Sequence, residues 1–157
     1  MNLVLRPATE ADFGFLMQLR AETMTQYLEQ NGLSTDLASH AQRIRYRFEF
    51  ANIVQVDETP VGLFKYYFDD DHYTISQIQI MRSHGGLGLG TRLIKELLAR
   101  AAEENKLVTL SVLRSNPAKN LYERLGFQVV GVDEHEYFME KKPNKAFKHD
   151  AKNTRAF

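Results

Sequence analysis

Apolar and polar positions along this chain recur in two rhythms, and each change of rhythm marks an element. Residues 2–5 alternate weakly and predict an opening strand. Thr9-x-x-Asp12 has the form of a capping box, so a helix is expected over about 10–29, stopped near Asn31-Gly32. Leu16, Leu19, Thr23 and Tyr27 share one face of it. Residues 36–50 predict a second helix, with Ile44 and Phe48 inward and Arg43, Arg45 and Arg47 outward. Strands follow at 53–56 and 61–68 around a turn at 57–60, then a third from about His72 to Met81 after the turn Asp69-Asp70-Asp71. Leu89, Leu93, Ile94, Leu97, Leu98 and Ala101 repeat at helical spacing, with Arg92, Lys95, Glu96, Arg100 and Glu103 on the opposite face. A strand at 107–113, a helix at 117–125 and a hairpin from 127–132 and 135–140 complete the chain. The order β-α-α-β-β-β-α-β-α-β-β, without internal repeat, predicts a mixed α+β sheet with helices on both faces.

Length and composition narrow this picture. A chain of 157 residues makes one domain and buries roughly 68–70% of its unfolded surface. It has no cysteine, so it needs no disulfide and uses no thiol nucleophile. No apolar run approaches the roughly 18 residues of a membrane span and the first residues do not form a signal peptide, so the expected location is cytoplasmic, away from membranes. The net charge of zero is unevenly spread. From Lys141 onward there are six Lys/Arg against one acid, Asp150, which makes that end +5 and the rest −5. The segment 142–157 lacks apolar periodicity and is expected to be a flexible basic tail after a domain spanning 1–141. It is read as a solvated tail, with no nucleic acid expected as a partner. The acidic body favours cationic acceptors through its long-range field. The three aspartates at 69–71 read as a solvated turn, so no metal is expected.

The chemistry concentrates in one stretch, from Ile78 to Ile94. Four glycines, Gly85, Gly86, Gly88 and Gly90, lie between the fourth predicted strand and the amphipathic helix. A glycine turn that opens a helix presents unpaired N–H groups and the positive end of a dipole, which suits phosphate. A Walker loop would end in Gly-Lys-Ser/Thr, but Gly90 is followed by Thr91-Arg92. A dinucleotide fingerprint would have an acidic residue on the following strand, and 107–112 has none.

This stretch resembles the acyl-CoA-binding motif of the GNAT superfamily of N-acetyltransferases, Gln/Arg-x-x-Gly-x-Gly/Ala, with Gly88 and Gly90 on the small positions and Gly85 where the family usually has Gln or Arg. A second segment, from Asn116-Pro117-Ala118 through Leu121-Tyr122 to Gly126-Phe127, is similar to the family's other signature. The resemblance covers roughly residues 3–141. It implies the GNAT fold: a mostly antiparallel sheet of about seven strands flanked by four helices, with a splayed gap that receives pantetheine. It also implies an N-acetyltransferase that uses acetyl-CoA as co-substrate and acts on a primary amine of a small molecule or peptide by direct attack. A non-catalytic acyl-CoA sensor and a protein-lysine acetyltransferase are the alternatives. The carried-over cofactor residues are Gln79, Ile80, Met81, Gly85, Gly86, Leu87, Gly88, Leu89, Gly90, Thr91, Asn116 and Lys119. Tyr122 takes the place of the family's general acid. The first two helices form one wall of the acceptor site in the family, which makes Met24, Tyr27 and Glu29 candidates, together with Tyr137. Many relatives carry a glutamate on the strand before the glycine turn. Here Gln77 and Gln79 stand there, and an amide is no base at neutral pH, so Glu22, Glu29 and His40 are the candidates for accepting a proton through water. The open sheet edge is compatible with a monomer or a homodimer.

Overall fold

The structure, a computed structural model, describes residues 1–143. All of the expected basic tail beyond Pro143 therefore lies outside the described residues. Seven strands and four α-helices follow one another as β1 (Leu3–Pro7), α1 (Phe13–Gln30), α2 (Leu37–Arg45), β2 (Ala51–Val56), β3 (Thr59–Phe68), β4 (His72–Ile80), α3 (Leu89–Glu103), β5 (Leu107–Leu113), α4 (Ala118–Arg124), β6 (Gln128–Val132) and β7 (Glu136–Lys141). The strands form one sheet in the order β1-β2-β3-β4-β5-β7-β6. Only β4 and β5 run parallel; every other neighbouring pair is antiparallel.

Two apolar clusters sandwich the sheet. On one face α3 buries Leu89, Leu93, Ile94, Leu97 and Ala101 against Phe64, Tyr73, Ile75 and Val108, and Tyr122 and Phe127 join from the α4 end. On the other face Leu16 and Leu19 of α1 and Ile44 of α2 pack on Ile53 and Leu63. The predicted amphipathic face of α3 is therefore its buried face, as the hydrophobic effect requires of a helix with one apolar stripe.

Two expected helix boundaries move. The first helix begins as a short 3-10 turn at Glu10–Asp12 before α1 proper. There the Asp12 carboxylate accepts the Thr9 N–H at 2.8 Å and two Arg6 N–H bonds at 2.9 Å. The second helix does not reach residue 50. It stops at Arg45, and Arg47 adopts a left-handed φ of 49°. The cause is Lys65 on β3, which is fully buried. Its Nζ donates to the carbonyls of Tyr46 (2.6 Å), Ile44 (2.9 Å) and Arg43 (3.3 Å). A lysine that ties up the last carbonyls of a helix satisfies groups that another helical turn would have used.

The feature that shapes the site is an irregularity in β4. Tyr66 pairs with Ile75 but Lys65 pairs with Gln77, so Ser76 is an extra residue on the β4 side. A bulge shifts the alternation by one position. Tyr73 and Ile75 face α3 before it, and Ile78 and Ile80 face α3 after it. Gln77 and Gln79 are thereby turned toward α1 and α2, although unbroken alternation would place them beside Ile75. The parallel pairing of β4 with β5 also ends there, at Ile75↔Leu110. Beyond that point β5 goes on pairing with β7 as far as Leu113, and the two parallel strands part.

Candidate active site

The gap between the parting strands is a cavity of about 270 Å³. Its walls come from five directions: Arg20, Met24 and Leu28 of α1, Arg43 of α2, Ile75 to Gln79 of β4, Leu110 to Leu113 of β5, and Asn116, Tyr122 and Glu136 from the far end. The end of α1 is held over this gap by polar ties. Ser115 Oγ donates to the Tyr27 carbonyl at 2.9 Å, as does Asn31 Nδ2, which also bonds Ser115 Oγ. Glu22 accepts the Arg82 N–H at 2.9 Å, which fastens α1 to the segment before the glycine turn.

At the lower end of β4 the chain makes a 3-10 turn at Arg82–His84, then the glycine run, then α3. Gly88 is the N-cap of α3, at a φ of 75°, and no side chain caps the helix. The first-turn N–H groups of Leu89, Gly90 and Thr91 therefore have no intrahelical acceptor and no capping side chain, while the α3 dipole points its positive end at them. Gly86, also at positive φ, and exposed Leu87 complete the loop. Gln79 and Ile80 pair with β3 on one side, opposite Leu63 and Gly62, and the Met81 N–H donates to Val61 at 2.8 Å. The other edge of this segment is the one from which β5 has departed, so its backbone groups face the gap.

At the other end Asn116 Oδ1 accepts the Ala118 N–H at 2.9 Å and starts α4. This leaves its Nδ2 for the cavity, which Asn116 lines. Tyr122 is 8% exposed and also lines the cavity. Its ring meets Phe127 edge to face at 5.9 Å, and burial pushes its hydroxyl up to about 12. That hydroxyl remains protonated at any working pH and is available as a donor.

The other expected residues fall into two groups. Met24 lines the cavity. Tyr27 contributes its carbonyl to the tie just described, and its ring is not among the lining groups. Glu29 is exposed. Tyr137 packs at the edge of the α3 cluster, with the Lys119 ammonium 4.9 Å from its ring centre. Lys119 also pairs with Glu123 at 3.2 Å. His40 is buried, and its Nδ1 accepts a bond from Arg20 Nε at 3.1 Å. Burial, with the Arg20 charge, lowers its basicity.

Three charged lining residues were missed in the sequence. Arg43 was expected outward, yet its guanidinium donates to the carbonyl of the bulge residue Ser76 at 2.8 Å. Arg20 follows Leu16 by four positions, so helical periodicity alone put it on the inner face, and that signal was available. Glu136 reaches the site because β7 pairs it with Leu113, a register that no local pattern reveals. Three lining residues also carry buried polar atoms without a protein partner: Ser76 Oγ, both amide atoms of Gln77, and Gln79 Oε1. Buried polar atoms without protein partners mark a place where water or ligand completes the bonding. No group of three potential metal ligands occurs among the described residues, and no described helix is long and apolar enough to cross a membrane.

Comparison with known proteins gives a consistent result. The model of the acetyltransferase (GNAT) family matches residues 16–127. Among solved structures, the chain is similar to an acetyltransferase from Thermus thermophilus (TM-score 0.72, 20% identity, covering 90% of this chain and 97% of that one). It is also similar to the PaiA N-acetyltransferase of Thermoplasma acidophilum, solved in complex with coenzyme A (TM-score 0.71, 17% identity, covering 90% and 99%). A third is a GNAT-family acetyltransferase from Listeria monocytogenes (TM-score 0.62, 20% identity, covering 89% and 94%). No curated protein matches in sequence.

Proposed function

The chain belongs to the GNAT family of acetyltransferases and is an acyltransferase, and from that premise we propose that it transfers the acetyl group of acetyl-CoA to a primary amine of a small molecule or peptide in a ternary complex. The observation that carries this reading is the cavity itself. The gap brings the strand edge that β5 leaves together with a buried tyrosine, and the same strand runs on through the glycine turn to the uncapped N-terminus of α3. Backbone N–H groups from Gly86 to Thr91 bind the diphosphate. The free edge at Gln79, Ile80 and Met81 pairs with the pantetheine amides, and Asn116 Nδ2 donates to the same arm. Lys119, half-buried on α4, meets the nucleotide end.

In the transfer, the acceptor ammonium first loses a proton to Glu136, directly or through water. The neutral amine then attacks the thioester carbon; the C–N bond forms, the C–S bond breaks, and the electron pair goes to sulfur. The second amine proton ends on the thiolate, giving free thiol and an amide. No protein nucleophile is required, because the site holds the two reactants in line. Tyr122 donates a hydrogen bond to the departing sulfur. The retention of this donor inside the cavity supports a catalyst over a sensor.

The experiment is acetyl-CoA calorimetry followed by thiol release with a panel of amines. Binding together with thiol release on one class of amine is the expected result; no binding would overturn the assignment. Replacing the proton acceptor, Glu136→Gln, is expected to turn a flat rate between pH 7 and 9 into one that rises with pH, as the amine must then arrive already neutral. Parallel profiles for the two proteins would remove Glu136 from the mechanism.

A further inference from the structure

The transfer step leaves one part of the cavity unused, the α1–α2 wall. Arg20 is 8% exposed and lines this space. Arg43 lines it beside Arg20, close enough that its charge depresses the basicity of Arg20 on top of the effect of burial. Arg20 bonds His40 through Nε, and Arg43 bonds the Ser76 carbonyl through one terminal nitrogen. These bonds leave further N–H donors on both forks, since a guanidinium has five. Neither arginine enters an ion pair among the described residues. Lys65, buried behind them, adds a third basic group on the same side. Among the described residues, the cavity's one acidic lining residue is Glu136, on β7.

Bringing like charges together inside a protein is unfavourable unless an anion joins them. Guanidinium pairs match a carboxylate through bidentate bonds better than any other common anion of small metabolites except phosphate. Ser76, Gln77 and Gln79 line the same cavity, and Ser76 Oγ, both amide atoms of Gln77 and Gln79 Oε1 are buried without a protein partner. At about 270 Å³, the space lies at the small end of ligand sites.

We propose that the acceptor is a small amino acid-type molecule, an amine that also carries a carboxylate, and that Arg20 and Arg43 bind the carboxylate while Glu136 faces the ammonium. This deepens the acetyltransfer reading and rests on it. The cavity is a complement to a zwitterion, cationic on the α1–α2 wall and anionic on β7. The acidic charge balance of the body suggested cationic acceptors, but the cavity is governed by the charges within a Debye length of the ligand, and there the arginines dominate.

The test measures thiol release from acetyl-CoA with free amino acids, their methyl esters, simple alkylamines, polyamines and short peptides. For the best amino acid, kcat/KM is expected to exceed that of its methyl ester by at least about tenfold, since a charge-assisted bidentate contact is lost in the ester. In Arg43→Gln and Arg20→Gln that acid-to-ester ratio is expected to fall to near one, chiefly through KM, and Arg43→Lys is expected to restore part of it. A merely structural role would lower both rates and leave the ratio alone. The ratio in the unaltered protein stands by itself if a variant does not fold. An ester as good as its acid, turnover confined to polyamines, alkylamines or peptides, or no turnover of any carboxylate-bearing amine would each overturn the proposal. Failure to bind acetyl-CoA would overturn the transferase reading beneath it as well.

Discussion

Replacing Tyr122 by phenylalanine removes one oxygen and keeps the ring that packs on Phe127. The hydroxyl makes no hydrogen bond to another described side chain or backbone group, so its loss leaves no protein partner unsatisfied. Stability is therefore expected to change by less than about 0.5 kcal/mol, roughly 2 °C in Tm. The catalytic effect is larger. Burial holds the phenol at about 12, while an ordinary thiol sits near 8.5. Full proton transfer from tyrosine to the departing thiolate is then uphill by roughly three to four pKa units, about 5 kcal/mol. In the proposed mechanism the hydroxyl therefore keeps its proton and stabilises the departing thiolate by hydrogen bonding. Removing one such preorganised donor costs on the order of 10²–10³ in kcat. The assay is thiol release at saturating acetyl-CoA, with the amine that the panel selects. The expected outcome is a drop of about 10²-fold in kcat with KM for acetyl-CoA nearly unchanged. Because a group at about 12 does not titrate in the working range, the ratio of the two enzymes is also expected to stay constant from pH 6.5 to 9.5. A loss below about threefold, or a ratio that closes as pH rises, would refute the reasoning.

Three further outcomes check other parts of the structure. Gly88→Ala places a Cβ in open space but at a φ of 75°, so its cost is backbone strain of about 1–2 kcal/mol; acetyl-CoA affinity measured by calorimetry is expected to weaken about tenfold, by distortion of the anion-binding turn. Lys65→Met leaves the carbonyls of Arg43, Ile44 and Tyr46 without their donor inside the fold, and denaturant unfolding is expected to show a loss of about 2–3 kcal/mol. Asp12, held down at about 2 chiefly by the Arg6 hydrogen bond, contributes stability that is complete above pH 4 and lost as pH falls through 2. After allowance for solvent screening, that contribution is about 1–2 kcal/mol. Asp12→Asn is expected to remove it and flatten that limb of the stability-against-pH curve.

What could be read without the structure was whatever depends on neighbours in the chain. The α3 stripe, the glycine turn, the Asn116-Pro117 start of α4 and the seven strands are local patterns, set by backbone freedom, helical period and strand alternation. They suffice for the mixed α+β order of elements and for the proposed anion site at the start of α3, because such a site at a helix N-terminus needs only a short segment. The tertiary structure decided the acceptor end. The Ser76 bulge turned Gln77 and Gln79 away from Ile75 by shifting a register between strands. Lys65, on β3, meets the end of α2 and ties up its last carbonyls. The pairing of β7 with β5 carried Glu136 to the gap, and the packing of α1 and α2 on the sheet brought Arg20 and Arg43 together there. Each of these is a contact between residues distant in sequence, fixed by pairing register and packing. Charges that look like a solvated face in a helical pattern become a binding wall only once the opposite surface is in place.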